Sequence, residues 1–144
     1  MMEKQVLISI SGTQHPIGEK PETIELLTNG TYIYEPGHIV ISYAETEMTG
    51  MQGVQTTFTI EGEEKVTLCR EGKLRSEMVF VPDQPHDSLY DTGFGGLLIS
   101  VCAKQMTVLL NEHGGIFDLE YSIDIEHTPC GTNTYHIEVR PTTA

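Results

Sequence analysis

The chain has 144 residues, a length that suits one domain with a buried core. Its 8 basic and 21 acidic side chains give a formal net charge of −13. A charge of that sign opposes binding to nucleic-acid phosphates and to anionic membrane surfaces, so we expect neither kind of partner.

Apolar and polar residues alternate along most of the chain, which is typical of strands that bury one face. The clearest example is FDLEYSIDIE, in which Phe117, Leu119 and Tyr121 alternate with Asp118 and Glu120. Segment 97–103 is apolar at nearly every position, which predicts burial on both faces. The predicted strands are 5–11, 22–28, 31–35, 39–45, 54–60, 65–70, 74–80, 97–103, 106–111, 117–126 and 134–140.

Turn residues separate these segments, and no window shows the periodicity of a helix. Asn29-Gly30 is the strongest hairpin signal, because both central residues of a type I′ turn need positive φ. Pro36-Gly37 and Glu61-Gly62 are further turn signals.

This succession of short strands predicts an all-β fold. We expect residues 1–144 to form a single β-barrel domain, a closed or nearly closed antiparallel meander of about 8–10 strands, with a sandwich as the alternative. Closure requires the first strand, 5–11, to pair with the last, 133–141, because this pairing removes two exposed sheet edges.

The segment TGFGG, residues 92–96, raises the question whether its glycines bind a phosphate group. A P-loop needs the pattern GxxxxGK[ST] followed by a helix, whereas here no lysine follows and LLISV is typical of a strand. We therefore interpret TGFGG as a turn in which Gly95 adopts a positive φ, with Phe94 entering the end of the barrel.

The pattern of Tyr90, Thr92, Phe94 and Gly95 before LLISV, with EHGGIFDLEYSIDI and NGTYIYE, resembles the YwiB-like family of small bacterial β-barrels. The resemblance covers most of the chain, from about residue 5 to about residue 140. That family has no assigned function and is grouped with the calycins, the superfamily of lipocalins and fatty-acid-binding proteins. The resemblance implies a closed, lipocalin-like barrel in a soluble bacterial protein of Gram-positive lineage, and it brings no catalytic residues.

Two residue groups contain the side chains of a reactive or metal site without its geometry. His86, Asp87 and Ser88 are the residue types of a hydrolase triad, but in a strand Asp87 points away from the other two. His127 and Cys130 supply two zinc ligands, whereas a structural zinc site needs four. We therefore expect no catalytic residue, no metal site and no cofactor.

The three cysteines, Cys69, Cys102 and Cys130, are widely spaced, which is typical of free thiols in a reducing compartment. With no signal-peptide pattern and no long apolar run, we expect a cytoplasmic protein. Cys102 is expected to be a small buried hydrophobe. Cys69 is expected on the outer face beside Arg70, which either lowers the pKa of the thiol or forms an ordinary surface pair with it.

The chain has six tyrosines and no tryptophan. A buried tyrosine combines an apolar ring with a hydroxyl that needs a partner, so tyrosines lining a barrel suit a small amphipathic ligand. The alternative is that these rings fill the core, because side chains alone can close a small barrel. The candidate ligand-binding residues, all expected inside the barrel, are Tyr32, Tyr43, Tyr90, Phe94, Tyr121 and Tyr135.

The basic residues bear on the charge of any ligand. Fatty-acid-binding proteins, to which the family resemblance leads, hold a carboxylate with basic and tyrosine side chains inside the barrel. This chain has three arginines, at positions 70, 75 and 140, and no Arg-x-Tyr motif. Arg140 lies on the polar face of its strand, opposite the apolar residues. The usual anchor for a carboxylate is therefore missing, and we expect a neutral ligand.

A barrel with these residues is compatible with two functions. The first is a non-enzymatic binding module that holds a small, largely apolar or amphipathic ligand in the barrel. The second is a protein-interaction or structural domain whose barrel is filled by side chains and whose outer surface binds a protein. An open, polar-lined lumen favours the first function, and a lumen packed shut favours the second.

Overall fold

The described part of the chain is all β-structure. In this computed structural model it comprises residues 3–46, 52–72, 75–91 and 95–142, with only the backbone described at Tyr90 and Asp91. Within these ranges no helix is long and apolar enough to cross a bilayer. The strands are β1 Glu3–Pro16, β2 Glu22–Glu35, β3 His38–Ala44, β4 Val54–Glu61, β5 Lys65–Gly72, β6 Ser76–Phe80, β7 Pro85–Asp91, β8 Gly96–Asn111, β9 Gly114–Ile125 and β10 Thr128–Pro141.

The strands form an antiparallel meander that nearly closes into a barrel. The sheet order is β6-β5-β4-β3-β2-β1-β10-β9-β8-β7. Strand β1 pairs with β10 from Val6↔Pro141 to Pro16↔Gly131, which confirms the predicted pairing of the first strand with the last. Between β6 and β7 the described residues form only the isolated bridge Val81↔Gln84 and no ladder of paired residues, so the barrel is not fully closed at this point.

Inward-facing side chains form rows across neighbouring strands, and two of these rows are wholly apolar. Every member is at most 5% exposed. The rows, each read from β3 to β6, are Ile39–Ile60–Val66–Phe80 and Ile41–Phe58–Leu68–Met78. Phe58 also meets Phe117 of β9 edge-on, with ring centroids 5.9 Å apart. We call the end of the barrel at which β1, β3, β5, β7 and β9 finish the upper end. The two apolar rows lie toward the other, lower end, so side chains fill the lower half of the barrel interior.

The predicted hairpin at Asn29-Gly30 is wrong, because β2 runs through both residues. Gly30 pairs with Val6 of β1 on one side and with Tyr43 of β3 on the other. A Cβ atom at Gly30 would collide with the side chain of Ile8 and with the backbone oxygen of Ser42. Glycine is needed here for the close approach of three strands and not for a turn.

A two-residue turn with two positive φ angles occurs instead at Glu126-His127, between β9 and β10. Their φ angles are 50° and 67°, as a type I′ hairpin requires, although neither residue is glycine. The backbone N–H of Glu126 donates to the Leu98 carbonyl oxygen, and the Leu98 N–H donates to Glu126 Oε1, both at 2.8 Å. Bonds to β8 therefore hold this turn in place.

Segment 97–103 is buried on one face only, which contradicts the prediction. Ile99, Val101 and Ala103 are buried, whereas Leu98, Ser100 and Cys102 on the opposite face are only half-buried. The reason is that a single-layered barrel covers only its inner face. The predicted strands 97–103 and 106–111 are one strand, β8, interrupted by a register shift between Ala103 and Gln105.

A truncation tests the closure of the barrel. Deleting the residues after Gly131 removes most of β10 and exposes the edges of β1 and β9, so we expect insoluble or unfolded protein. The measurement is the soluble fraction on expression, followed by thermal unfolding monitored by circular dichroism. A truncated chain that stays soluble and unfolds cooperatively would contradict closure through β1 and β10.

A glycine pair tests the tight packing at β2. Because a Cβ at Gly30 meets both Ile8 and the Ser42 backbone, Gly30→Ala should lower the free energy of unfolding by about 1–3 kcal/mol. Gly12→Ala is the matched control, since its Cβ would lie 3.6 Å from Tyr135 Cε1, an ordinary contact. Denaturant unfolding measures both variants, and equal stabilities would show that β2 has room for a side chain.

Candidate ligand-binding site

A row of polar side chains lies above the two apolar rows. Tyr43, Thr56, Arg70 and Ser76 are successive cross-strand partners in β3, β4, β5 and β6. Each side chain points to the same, inner side of its strand as the apolar rows do. Each is buried, and Arg70 and Ser76 are both 9% exposed. On the side of the barrel formed by β3 to β6, hydrogen-bonding groups therefore line the upper half of the lumen and hydrocarbon lines the lower half.

Arg70 carries a buried positive charge. Its Nη2 donates to the Tyr135 hydroxyl oxygen at 2.9 Å, whereas its Nε has no hydrogen-bond partner among the described residues. No carboxylate of the described residues forms an ion pair with the guanidinium. Burial lowers the pKa of Arg70, but Tyr135, Tyr121 and Tyr43 together raise it above its ordinary value, so the side chain stays charged.

Tyrosine hydroxyls surround this charge. The rings of Tyr121 and Tyr135 stack with centroids 6.4 Å apart, and Asn133 Nδ2 donates to the Tyr121 hydroxyl oxygen at 3.2 Å. Burial raises the pKa of both Tyr43 and Tyr121 above the ordinary range, so both keep their phenolic protons. Glu45 is also buried; it accepts a hydrogen bond from Thr56 Oγ1 and further raises the pKa of Tyr43.

A cavity of about 320 Å³ adjoins these groups at the upper end of the barrel. Its polar walls include Arg70, Tyr43, Glu45, Tyr121 and Tyr135. Its apolar walls include Ile10, Leu26, Met78, Ile99 and Ile123. The cavity therefore joins an apolar volume to one positive charge and several hydroxyl groups, which is the composition of a site for an amphipathic molecule.

Comparison with known proteins places this barrel in a family. The sequence model described as "Domain of unknown function (DUF1934)" matches residues 8–137. The chain belongs to the DUF1934 family. A search of the curated proteins finds no match.

A solved structure supports the same assignment at the level of the fold. The chain is similar to the ywiB protein from Bacillus subtilis, known from a crystal structure, with 20% sequence identity and a TM-score of 0.75. The match covers 94% of this chain and 92% of that protein. The predicted resemblance to the YwiB-like family is thus confirmed, and at this identity the likeness shows the fold alone.

The structure brings together three of the six predicted ligand-binding residues. Tyr43, Tyr121 and Tyr135 line the cavity. Tyr32 is buried elsewhere, near the lower end, where its hydroxyl donates to the Asn111 carbonyl oxygen at 2.7 Å. Phe94 and the side chain of Tyr90 lie outside the described residues.

The ends of the TGFGG segment agree with its interpretation as a turn. Asp91 of β7 and Gly96 of β8 are antiparallel partners, so the segment connects two paired strands. Gly95 has a φ of +128°, which confirms the predicted positive φ at this position. Residues 92–94, which include Phe94, lie outside the described part of the chain.

Thr56, Arg70 and Ser76 were not among the predicted site residues, although the sequence contains a signal for them. Each is a polar residue at a position where its strand otherwise places apolar side chains: Arg70 follows Val66 and Leu68 at the same parity. The expected effect of Arg70 on Cys69 is wrong, because the two residues face opposite sides of β5. The Cys69 pKa is raised by burial and by Glu77, to which its Sγ donates at 3.7 Å.

The triad-like and zinc-like residue groups do not assemble into a site within the described ranges. Asp87 Oδ1 accepts a hydrogen bond from Ser100 on the neighbouring strand and not from His86. No group of three or more His, Cys, Asp or Glu side chains in these ranges could hold a metal ion. Cys69, Cys102 and Cys130 are free thiols.

The buried tyrosines should make the fold sensitive to alkali. Burial raises the pKa of Tyr32, Tyr43 and Tyr121 above the value of about 10 that tyrosine has in an unfolded chain. Their contribution to stability is therefore complete below about pH 10 and is lost as the pH rises toward the pKa values of the folded state. We expect these tyrosines to ionise only as the chain unfolds.

The measurement is tyrosinate absorbance and circular dichroism recorded together during an alkaline titration. In the Tyr43→Phe variant, the rise in tyrosinate absorbance that accompanies unfolding should be smaller by the contribution of one tyrosine. If all the tyrosines ionise near pH 10 in a chain that is still folded, burial does not protect these hydroxyls.

Proposed function

We propose that this chain is a non-enzymatic binding module that holds a small, largely apolar molecule in the upper half of its barrel. The observation that carries the proposal is the cavity of about 320 Å³ between the polar row and the apolar walls. Ligand sites in proteins are typically clefts of about 300–1,000 Å³, lined mostly by apolar side chains with a few placed polar groups. The cavity has this size and this composition.

The described interior gives no support for a reaction centre. Catalysis by acid–base groups requires a titratable side chain held near the reacting atoms with a pKa near the working pH. The tyrosines Tyr43 and Tyr121 have pKa values raised away from neutrality, and Arg70 remains charged. These groups are suited to hold a ligand by hydrogen bonds and charge. A cytoplasmic location is part of this proposal. The three free cysteines support it, because free thiols are typical of a reducing compartment.

The second candidate is a protein-interaction or structural domain with no small-molecule ligand. The packed lower half of the lumen favours it, because Phe58, Phe80 and Phe117 leave that part without exposed surface. Under this alternative the upper cavity is only a packing defect. The two functions differ in whether the cavity takes up an apolar molecule.

A fluorescent probe separates the two functions. N-phenyl-1-naphthylamine is neutral and apolar, and its emission rises when it leaves water. We expect saturable binding of one probe molecule per chain. Ile123→Trp places a large ring at the cavity wall and should abolish binding, whereas the matched control Leu109→Trp alters a side chain that is 65% exposed and away from the cavity.

Because the natural chain has no tryptophan, each variant also carries a single fluorescent reporter. The Ile123→Trp emission should be blue-shifted relative to that of Leu109→Trp, which confirms that the new ring is out of water. The absence of saturable probe binding, or equal binding by the two variants, would favour the interaction or structural domain.

A further inference from the structure

We propose that the ligand of this barrel carries one carboxylate group, which binds the guanidinium group of Arg70 in the wall of the cavity. This inference rests on the proposed function and names the chemical class of the ligand. It replaces the expectation of a neutral ligand, which rested on the absence of an Arg-x-Tyr motif and on the polar parity of Arg140.

Two buried polar atoms next to the cavity lack a hydrogen-bond partner. Arg70 Nε and Ser76 Oγ are the buried side-chain nitrogen and oxygen atoms of the described residues that lack a hydrogen-bond partner. The two residues are direct cross-strand partners, so their Cβ atoms lie about 4.5–5.5 Å apart on the same face. Buried polar atoms without partners are rare in folded proteins, so this part of the polar row is incompletely satisfied. Both atoms are closed off from the cavity, and a ligand would therefore meet the part of the Arg70 side chain that lines the cavity wall.

The charge of the guanidinium identifies the acceptor as an anion. An ion in a protein interior is costly unless an opposite charge pairs with it, and no carboxylate of the described residues forms an ion pair with this guanidinium. The Tyr135 hydroxyl accepts one hydrogen bond from Nη2 and supplies no negative charge. A carboxylate in the cavity would neutralise the charge of the guanidinium, with the planar geometry that arginine favours for this group.

The surroundings favour a monoanion with an apolar body. Glu45 is buried in the wall of the same cavity, and the whole chain carries a formal charge of −13, so a doubly charged phosphate would be repelled. Arg70 is the one arginine among the described residues of the cavity wall. Opposite it, Ile10, Leu26 and Ile99 provide an apolar surface for the rest of the ligand.

A pair of probes of equal shape tests the charge of the ligand. Naphthalene-2-carboxylate and naphthalene-2-carboxamide differ mainly in charge, and both are small enough for the cavity. By titration calorimetry we expect the wild-type chain to bind the carboxylate at least about tenfold more tightly than the amide, because hydrogen bonds to a charged group are the stronger ones.

Substitutions then locate the charge that makes the difference. Arg70→Met keeps the length of the side chain and should abolish the preference for the carboxylate while leaving amide affinity within about threefold. Arg140→Met is the matched control, since Arg140 is exposed on the outer face, and it should preserve the preference.

The outcomes separate this inference from the proposed function. Equal wild-type affinity for the two probes, or a preference that survives in Arg70→Met, overturns the anion site while a bound amide still supports the binding module. Binding of N-phenyl-1-naphthylamine without binding of the carboxylate also overturns it. Failure of all three probes overturns both proposals. The wild-type comparison decides the matter even if Arg70→Met does not fold.

Discussion

The structure depends on one constraint, which is the pairing of β1 with β10. Because this pairing curls the meander into a barrel, every second side chain of each strand must point into the same narrow lumen. Side chains alternate along a strand, so a slip of one residue would exchange its inner and outer faces. The pairs Ile8↔Val139 and Ile10↔Ile137 keep the apolar parity inward where the two ends of the chain meet. Core and candidate site therefore occupy a single lumen.

That lumen changes character along its axis. Rows that contain Phe58 and Phe80 fill the lower half with hydrocarbon, whose burial stabilises the fold by about 25 cal/mol per Å². The next row contains Thr56, Arg70 and Ser76, which cannot pack in this way because their donors need acceptors. Sequences that fold well satisfy their buried polar groups, and local exceptions are expected at functional sites. The polar row is such an exception, and it adjoins the cavity.

Features that depend on contacts within one strand could be predicted from the sequence, and features that depend on contacts between distant parts of the chain could not. The inward parity of Phe117, Leu119 and Tyr121 follows from alternation within one strand, and the structure confirms it. The hairpin predicted at Asn29-Gly30 was wrong because contacts from two other strands make glycine necessary within β2. The predicted strands 117–126 and 134–140 left a longer connection where the structure has a two-residue turn at 126–127, and this turn is held by hydrogen bonds from β8, 28 residues away along the chain.

By itself, the sequence determined the all-β class, the approximate positions of most strands and the parity that faces inward. Even the inward direction of Arg70 can be inferred, since it shares the parity of Val66 and Leu68. Only the tertiary structure decided that Tyr43 and Tyr135 meet Arg70 around a cavity while Tyr32 lies near the other end. The reason is that the stagger between strands sets which inward positions reach the same height in a barrel, and alternation within a strand carries no information about that stagger.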